Sequence, residues 1–212
     1  PSRMALPLRL GTSDIPKNKK SYSAPPIQSI LPLKWTLNKF AKYGNTDCAS
    51  AKKSSLYPMP IISSPIGNIQ LSIREECLSE LKFTQQPVEG ELLDPLLLEA
   101  QKQLGEYFSG QRQIFNLPIG LGGTDFQRKV WLAVGKIPFG QTTTYAKLAE
   151  QLGNPAAIRA VGTAIGANPL LIILPCHRII GTNGSLTGYA GGLDKKKALL
   201  ELEGHPFQGS LF

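Results

Sequence analysis

The run Leu170-Leu171-Ile172-Ile173-Leu174-Pro175-Cys176-His177-Arg178-Ile179-Ile180 carries a cysteine directly after a proline and directly before a histidine. Five aliphatic residues without a polar interruption have the length and composition of a short buried strand. Pro175 cannot continue a ladder and ends it. The thiol is then expected at the edge of a rigid element, where a nucleophile is well held. Free cysteine is more often a small buried hydrophobe, and a lone one after such a run would be read that way. The neighbour changes the reading. A thiol of pKa about 8.5 is only about 3% ionised at neutral pH, so a nucleophilic cysteine needs a base or a cation beside it. The chain has two histidines, His177 and His205, and one of them adjoins Cys176. Successive side chains on an extended segment point apart, so a water is expected to bridge thiol and imidazole.

Upstream of this run the pattern is helical. Thr124 and Gln127 form a capping-box start, and Phe126, Val130, Trp131, Val134 and Ile137 then fall on one face. Pro138-Phe139-Gly140 is expected to end that helix. A short helix follows from Thr144 to Leu152, closed by Gly153, and Asn154-Pro155 opens another with Asn154 as cap. That helix runs to Gly166, ahead of Asn168-Pro169. Two short helices joined by a tight Gly-Asn turn are a helix-turn-helix pattern. The second is built of small residues (Ala156, Ala157, Ala160, Gly162, Ala164, Gly166) with Arg159 as its one charge. A helix that reads the major groove carries several Arg, Asn or Gln. This composition suits close approach to a narrow groove, where Arg159 either inserts into a base stack or pairs on the surface. A last helix is expected from Leu193 to Glu203, stopped by Gly204.

Residues 57–120 read differently. Met59–Ser63, Ile69–Arg74 and Leu78–Phe83 are strand-like runs separated by turn residues, as in an antiparallel meander. Apolar residues at 97, 98, 100, 104, 107 and 108 predict a helix over 93–108, and Ile114–Ile119 is expected to return as a strand. Ahead of this, residues 1–56 are rich in Ser, Pro and Lys with no sustained period, the composition of a disordered extension. Of 23 Lys and Arg, ten fall within residues 1–55, against Asp14 and Asp47 alone, so the net charge of +8 sits there and the remainder is neutral. Any DNA affinity of the folded body must then come from local placement of charge. Such a basic, acid-poor start also resembles an organelle-targeting peptide; otherwise a cytoplasmic or nuclear protein is expected. No run approaches the roughly 18 apolar residues of a membrane span. Three scattered cysteines, Cys48, Cys77 and Cys176, fit a reducing compartment rather than a disulfide framework. No CxxC or HExxH pattern occurs, and no metal site is expected.

Several blocks in order resemble the O6-alkylguanine-DNA alkyltransferases. They are Phe126 to Trp131, Ile137 to Thr142, Tyr145, Asn154-Pro155, Arg159 to Gly162, Asn168-Pro169, Pro175-Cys176-His177-Arg178, Gly188 to Leu193 and Glu203-Gly204. The resemblance runs from about Ser64 to Gly204. It implies an α/β N-terminal domain, a small antiparallel sheet plus helix of ribonuclease-H-like type, over 57–120. A mainly α, winged-helix-like domain with a helix-turn-helix then occupies 121–212. It also implies a monomer that binds the minor groove of double-stranded DNA and flips out an alkylated guanine, using Arg159 with Ala157, Ala160, Gly162 and Tyr145.

By the same resemblance Cys176 takes the alkyl group irreversibly, once per molecule and without a cofactor. Glu203, His177 and a water relay its proton. Tyr145 assists the leaving guanine, and Asn168 braces the thiol's turn. Tyr189, Ala190, Ile179 and Gly191 line the pocket, the small Gly191 suggesting room for groups larger than methyl. Arg178 is expected to pair internally. Thymine alkylated at O4 would be a second substrate. The alternatives are a lesion sensor that binds without transfer, a Cys-His hydrolase, and a regulator switched by cysteine methylation. The presence of Cys176 argues against the first, and the Ala/Gly-rich helix with Arg159 has no use in the second. The third would need a separate sequence-reading domain.

Overall fold

The computed structural model describes residues 59–205; the expected basic extension, Cys48 included, lies outside the described residues. The N-terminal sheet is the expected meander. Strands β1 (Ile61–Ile62), β2 (Asn68–Arg74) and β3 (Cys77–Thr84) pair antiparallel in that order. Glu75 and Glu76 make the β2–β3 turn with φ of 51° and 59°, the left-handed geometry that two-residue hairpins require. Alternation puts Ile69 and Leu71 of β2 on the buried face, and a register shift opposite Ser72 and Ile73 brings both Leu78 and Leu81 of β3 onto it. Helix α1 (Pro95–Phe108) begins at Asp94, whose side chain accepts from Leu96 N, with Pro95 in the first turn. Its stripe of Leu97, Ala100, Leu104 and Tyr107 is buried.

The strand expected at Ile114–Ile119 does not form. Only Ile119 bridges to Leu78, flanked by Leu78 N–H donating to Pro118 O and Gly120 N–H to Leu78 O. Pro118 has no N–H to extend the ladder, and Ile114 points into solvent.

Helix α2 (Asp125–Val134) carries the full capping box between Thr124 and Gln127. Val130, Trp131 and Val134 are buried as expected, but Phe126 is exposed, and the helix stops at Gly135, ahead of Pro138. A two-residue strand β4 (Thr143–Thr144) leads into α3 (Tyr145–Gln151). Gly153, at φ 79°, turns the chain sharply. Asn154 does not cap the next helix: it makes no side-chain cap bond, because Pro155–Ala157 form a 3-10 turn before α4 (Ile158–Gly166) starts.

The aliphatic run is buried, yet it is not a strand. Leu170 alone bridges, parallel to Leu81, with Leu81 N–H donating to Pro169 O and Leu171 N–H to Leu81 O. The chain then curls: Ile172 has φ 72°, and Leu174 N–H bonds back to Leu170 O. A left-handed β-branched residue is strained, and it lies four positions before the thiol. Cys176–Arg178 form a 3-10 turn, followed by β5 (Ile179–Ile180), which pairs parallel with β4. Helix α5 (Leu193–Leu202) closes the described chain.

One buried cluster runs through both halves, joining Ile69, Leu81 and Leu104 to Val130, Leu148, Val161, Leu171 and Leu199. Among the described residues, no helix is long and apolar enough to cross a membrane. Thr124→Ala removes one side of the capping box. It should lower the unfolding free energy by about 1 kcal/mol, read as a reduced urea midpoint at unchanged slope.

Candidate active site

Four segments converge on Cys176. Its own 3-10 turn is pinned from behind by Asn168, which follows α4. Asn168 Nδ2 donates to Leu174 O (2.8 Å) and to Cys176 Sγ (3.1 Å), while its Oδ1 accepts from Leu170 N (3.0 Å). One buried amide thus spans the curl from Leu170 to the thiol. The pairing of Thr143 with Ile179 and of Thr144 with Ile180 sets Tyr145, the first residue of α3, beside the same turn. The loop before α5 brings Tyr189, and α5 brings Lys196.

Cys176 is 3% exposed. Burial pushes its thiol up to about 11, against the lowering effects of the Asn168 hydrogen bond and the Lys196 charge. At rest the sulfur is therefore a neutral thiol. Burial raises the Tyr145 and Tyr189 phenols as well, so both are neutral donors. The Tyr189 hydroxyl and His177 Nδ1 are buried without a partner among the described residues. The two rings meet edge to face, with centroids 6.5 Å apart.

Glu203, just past α5, organises the groups behind the thiol. Its Oε1 accepts from His177 Nε2 (2.9 Å), Arg178 Nη2 (2.8 Å) and Tyr107 Oη (2.7 Å). Its Oε2 accepts from Arg178 Nε (2.8 Å) and from Gly140 N (3.2 Å). Burial alone would raise this carboxyl, but the bonds from His177, Arg178 and Tyr107 prevail and hold it at about 2. An ionised Glu203 only accepts, so the hydrogen of His177 sits on Nε2 and Nδ1 keeps its lone pair. Burial lowers the His177 pKa and Glu203 opposes it.

The expected relay members are therefore together, and Arg178 does pair internally. His177 and Cys176 are not hydrogen-bonded to each other. The expected room at Gly191 is absent on one side: a Cβ there would lie 2.6 Å from Phe83 Cδ2 and 2.7 Å from Tyr189 Cε1. Glycine lets those rings close in. Ala190 is exposed and Ile179 buried. On α4, Arg159 and Ala160 are exposed, and Gly162 faces the Tyr145 ring at ordinary contact distance; Ala157 ends the preceding 3-10 turn.

Three contributors were missed. Tyr107 comes from α1 and looks like any core residue of an amphipathic stripe. Gly140, at φ 71°, could not carry a Cβ, which would meet Glu203 O at 2.9 Å. Lys196 is wholly buried; its ammonium donates to Ile179 O, Thr187 O and, at 3.5 Å, Gly188 O. Burial pulls it down to about 8, and Cys176, once ionised, acts to raise it. A lysine at the apolar spacing of Leu193, Leu199 and Leu200 was the available signal.

Residues 56–121 match the ribonuclease-like domain of the 6-O-methylguanine DNA methyltransferases, and residues 125–205 match their DNA-binding domain. The chain belongs to the 6-O-methylguanine DNA methyltransferase family. The methylated-DNA–protein-cysteine methyltransferase of Methanosarcina acetivorans is 47% identical over 150 residues, 68% of this chain and 96% of that relative. That of Mycolicibacterium paratuberculosis is 46% identical over 147 residues, covering 67% and 89%. Among solved structures, Mycobacterium tuberculosis O6-methylguanine methyltransferase aligns with a TM-score of 0.63 at 43% identity, covering 74% of this chain and 98% of that one. Mycobacterium tuberculosis OGT in complex with DNA aligns with a TM-score of 0.62 at 44% identity, covering 70% and 94%. The two-part architecture of a small antiparallel sheet followed by a helical domain is that of this methyltransferase family.

The depressed carboxyl of Glu203 carries a sign. Its contribution to stability is complete above its unfolded value of about 4.5 and is lost as the pH falls through about 2. The stability difference between wild type and Glu203→Gln, measured by chemical denaturation, should therefore shrink across that window.

Proposed function

We propose that this protein repairs alkylated DNA by moving the alkyl group from O6 of guanine, and from O4 of thymine, onto Cys176, irreversibly and once per molecule. The observation that carries the reading is the buried thiol with the His177–Glu203 pair behind it, in a chain of this methyltransferase family. The DNA complex among its structural neighbours supports DNA as the partner.

In this reading the helical domain is winged-helix-like and the sheet domain ribonuclease-H-like. A monomer docks α3 and α4 on the minor groove. The exposed Arg159, flanked by the small Ala157, Ala160 and Gly162, fills the space left when the damaged base flips out. Flipping is needed because O6 cannot be reached within the stack. Tyr189, Ala190, Ile179 and Gly191 bound the flipped base.

Transfer then has two demands. The thiol must lose its proton, and guanine must leave. The proton passes to His177 Nδ1 through a water, and the imidazolium is held by Glu203. Lys196 is the cation left to face the thiolate, since Arg178 is engaged with Glu203. The sulfur attacks the alkyl carbon, the carbon–oxygen bond breaks, and its electron pair stays with guanine, where the Tyr145 phenol donates. The product is a thioether, which has no route back to a thiol here.

Intact mass after mixing with excess duplex holding one O6-methylguanine should rise once, by about 14 Da, at Cys176. Cys176→Ala should not change. An unchanged wild-type mass despite binding to the lesion would make the protein a sensor.

A further inference from the structure

We propose that Tyr107, contributed by the sheet domain, is a positioning residue of the transfer reaction: its hydroxyl fixes the Glu203 oxygen that holds His177. The inference rests on the alkyl-transfer reading of the site.

The geometry is specific. Tyr107 lies in the last turn of α1, fully buried, 96 residues from Glu203 in sequence, and donates to Oε1 at 2.7 Å. His177 Nε2 uses that same oxygen at 2.9 Å. Burial and the Glu203 charge both raise the Tyr107 phenol, so it remains a donor at every working pH. Its ring is fixed by Phe108, Phe115 and Phe139, with centroids 5.5, 5.4 and 6.1 Å away. Phe139 in turn lies under the Arg178 guanidinium, 5.8 Å from its carbon. The hydroxyl is thus aimed from α1, outside the helical domain, by a ring held between Phe108 and Phe115 of the sheet domain and Phe139 of the helical one. Tyrosine in a core normally needs only some partner for its hydroxyl. This one shares the oxygen on which the base depends.

Sharing has a consequence. A hydrogen bond from Tyr107 draws charge from Oε1 and weakens its pull on the His177 proton. The other groups facing His177 are Arg178, Lys196 and Tyr189, with Cys176 on its own turn; Arg178 and Tyr189 also sense the Tyr107 hydroxyl, and removing its oxygen leaves all four side chains in place. Without the Tyr107 hydroxyl, His177 should hold a proton more tightly, and the base should be lost at a higher pH.

The test is the single-turnover transfer rate against pH, with wild type, Tyr107→Phe and Tyr107→Gln. Phenylalanine keeps the ring packing and removes the donor. Glutamine keeps a donor and removes the ring. Tyr107→Phe should move the acid limb of the profile upward by roughly half to one unit, a part of the worth of one hydrogen bond to a carboxylate, and Tyr107→Gln should move it back toward wild type. An acid limb in Tyr107→Phe that is unmoved or lowered overturns the proposal. Failure of both variants to fold also overturns it and leaves Tyr107 a packing residue. Absence of transfer by wild type would instead refute the alkyl-transfer reading itself.

Discussion

Glu203 presents two buried carboxylate oxygens to five hydrogen-bond donors from four residues in three parts of the chain. Arg178 neutralises it, His177 is oriented by it, Gly140 lets the α2–β4 loop approach it, and Tyr107 reaches it from the sheet domain. A buried charge is tolerable only when so fully satisfied. Removing it would leave Arg178 buried without a counter-charge, a loss of about 3–5 kcal/mol. The same carboxylate that ties the two domains together also decides which imidazole nitrogen carries the proton. Fold and chemistry therefore depend on one side chain.

The thiol is held under the opposite constraint. Asn168 positions Cys176 and favours its ionised form, but burial prevails and keeps it neutral. Reactivity is therefore confined to the moment when base, cation and substrate are together, which suits a nucleophile that can be used once. Lys196 sits at this junction. Its ammonium ties Ile179, just past the thiol, to the loop of Thr187 and Gly188, and its charge favours the ionised thiol, so one cation both shapes the pocket and acts on the sulfur. The strained Ile172 belongs to the same economy of space: the chain turns back on itself within the buried run, and Asn168 spans the curl.

What could be read in the chain was mostly local. The capping box at Thr124, the hairpin of β2 and β3 and the helix pair around Gly153 all depend on residues a few positions apart, and all are present. The aliphatic run before Pro175 misled because composition cannot tell a strand from a buried turn. β3 offers it one bridging position, at Leu81, and Ile172 then leaves the extended region. The 3-10 start of α4 was hidden for a related reason, since Asn154-Pro155 is equally good chemistry for a capped helix. Cys176 and His177 were legible from their adjacency, and Glu203 only through a resemblance. Tyr107 was not, because its place on the α1 stripe is what any core aromatic would occupy; only the tertiary contact with Glu203 distinguishes it.

The state of the His177 ring tests this account most directly. Nitrogen-15 spectra of histidine-labelled protein, with His205→Gln to assign the two rings, report which nitrogen is protonated. The expected result is a neutral imidazole at neutral pH with hydrogen on Nε2, facing Glu203, and a bare Nδ1. Hydrogen on Nδ1, or a doubly protonated ring, would contradict it, because Cys176 would then have no base to take its proton.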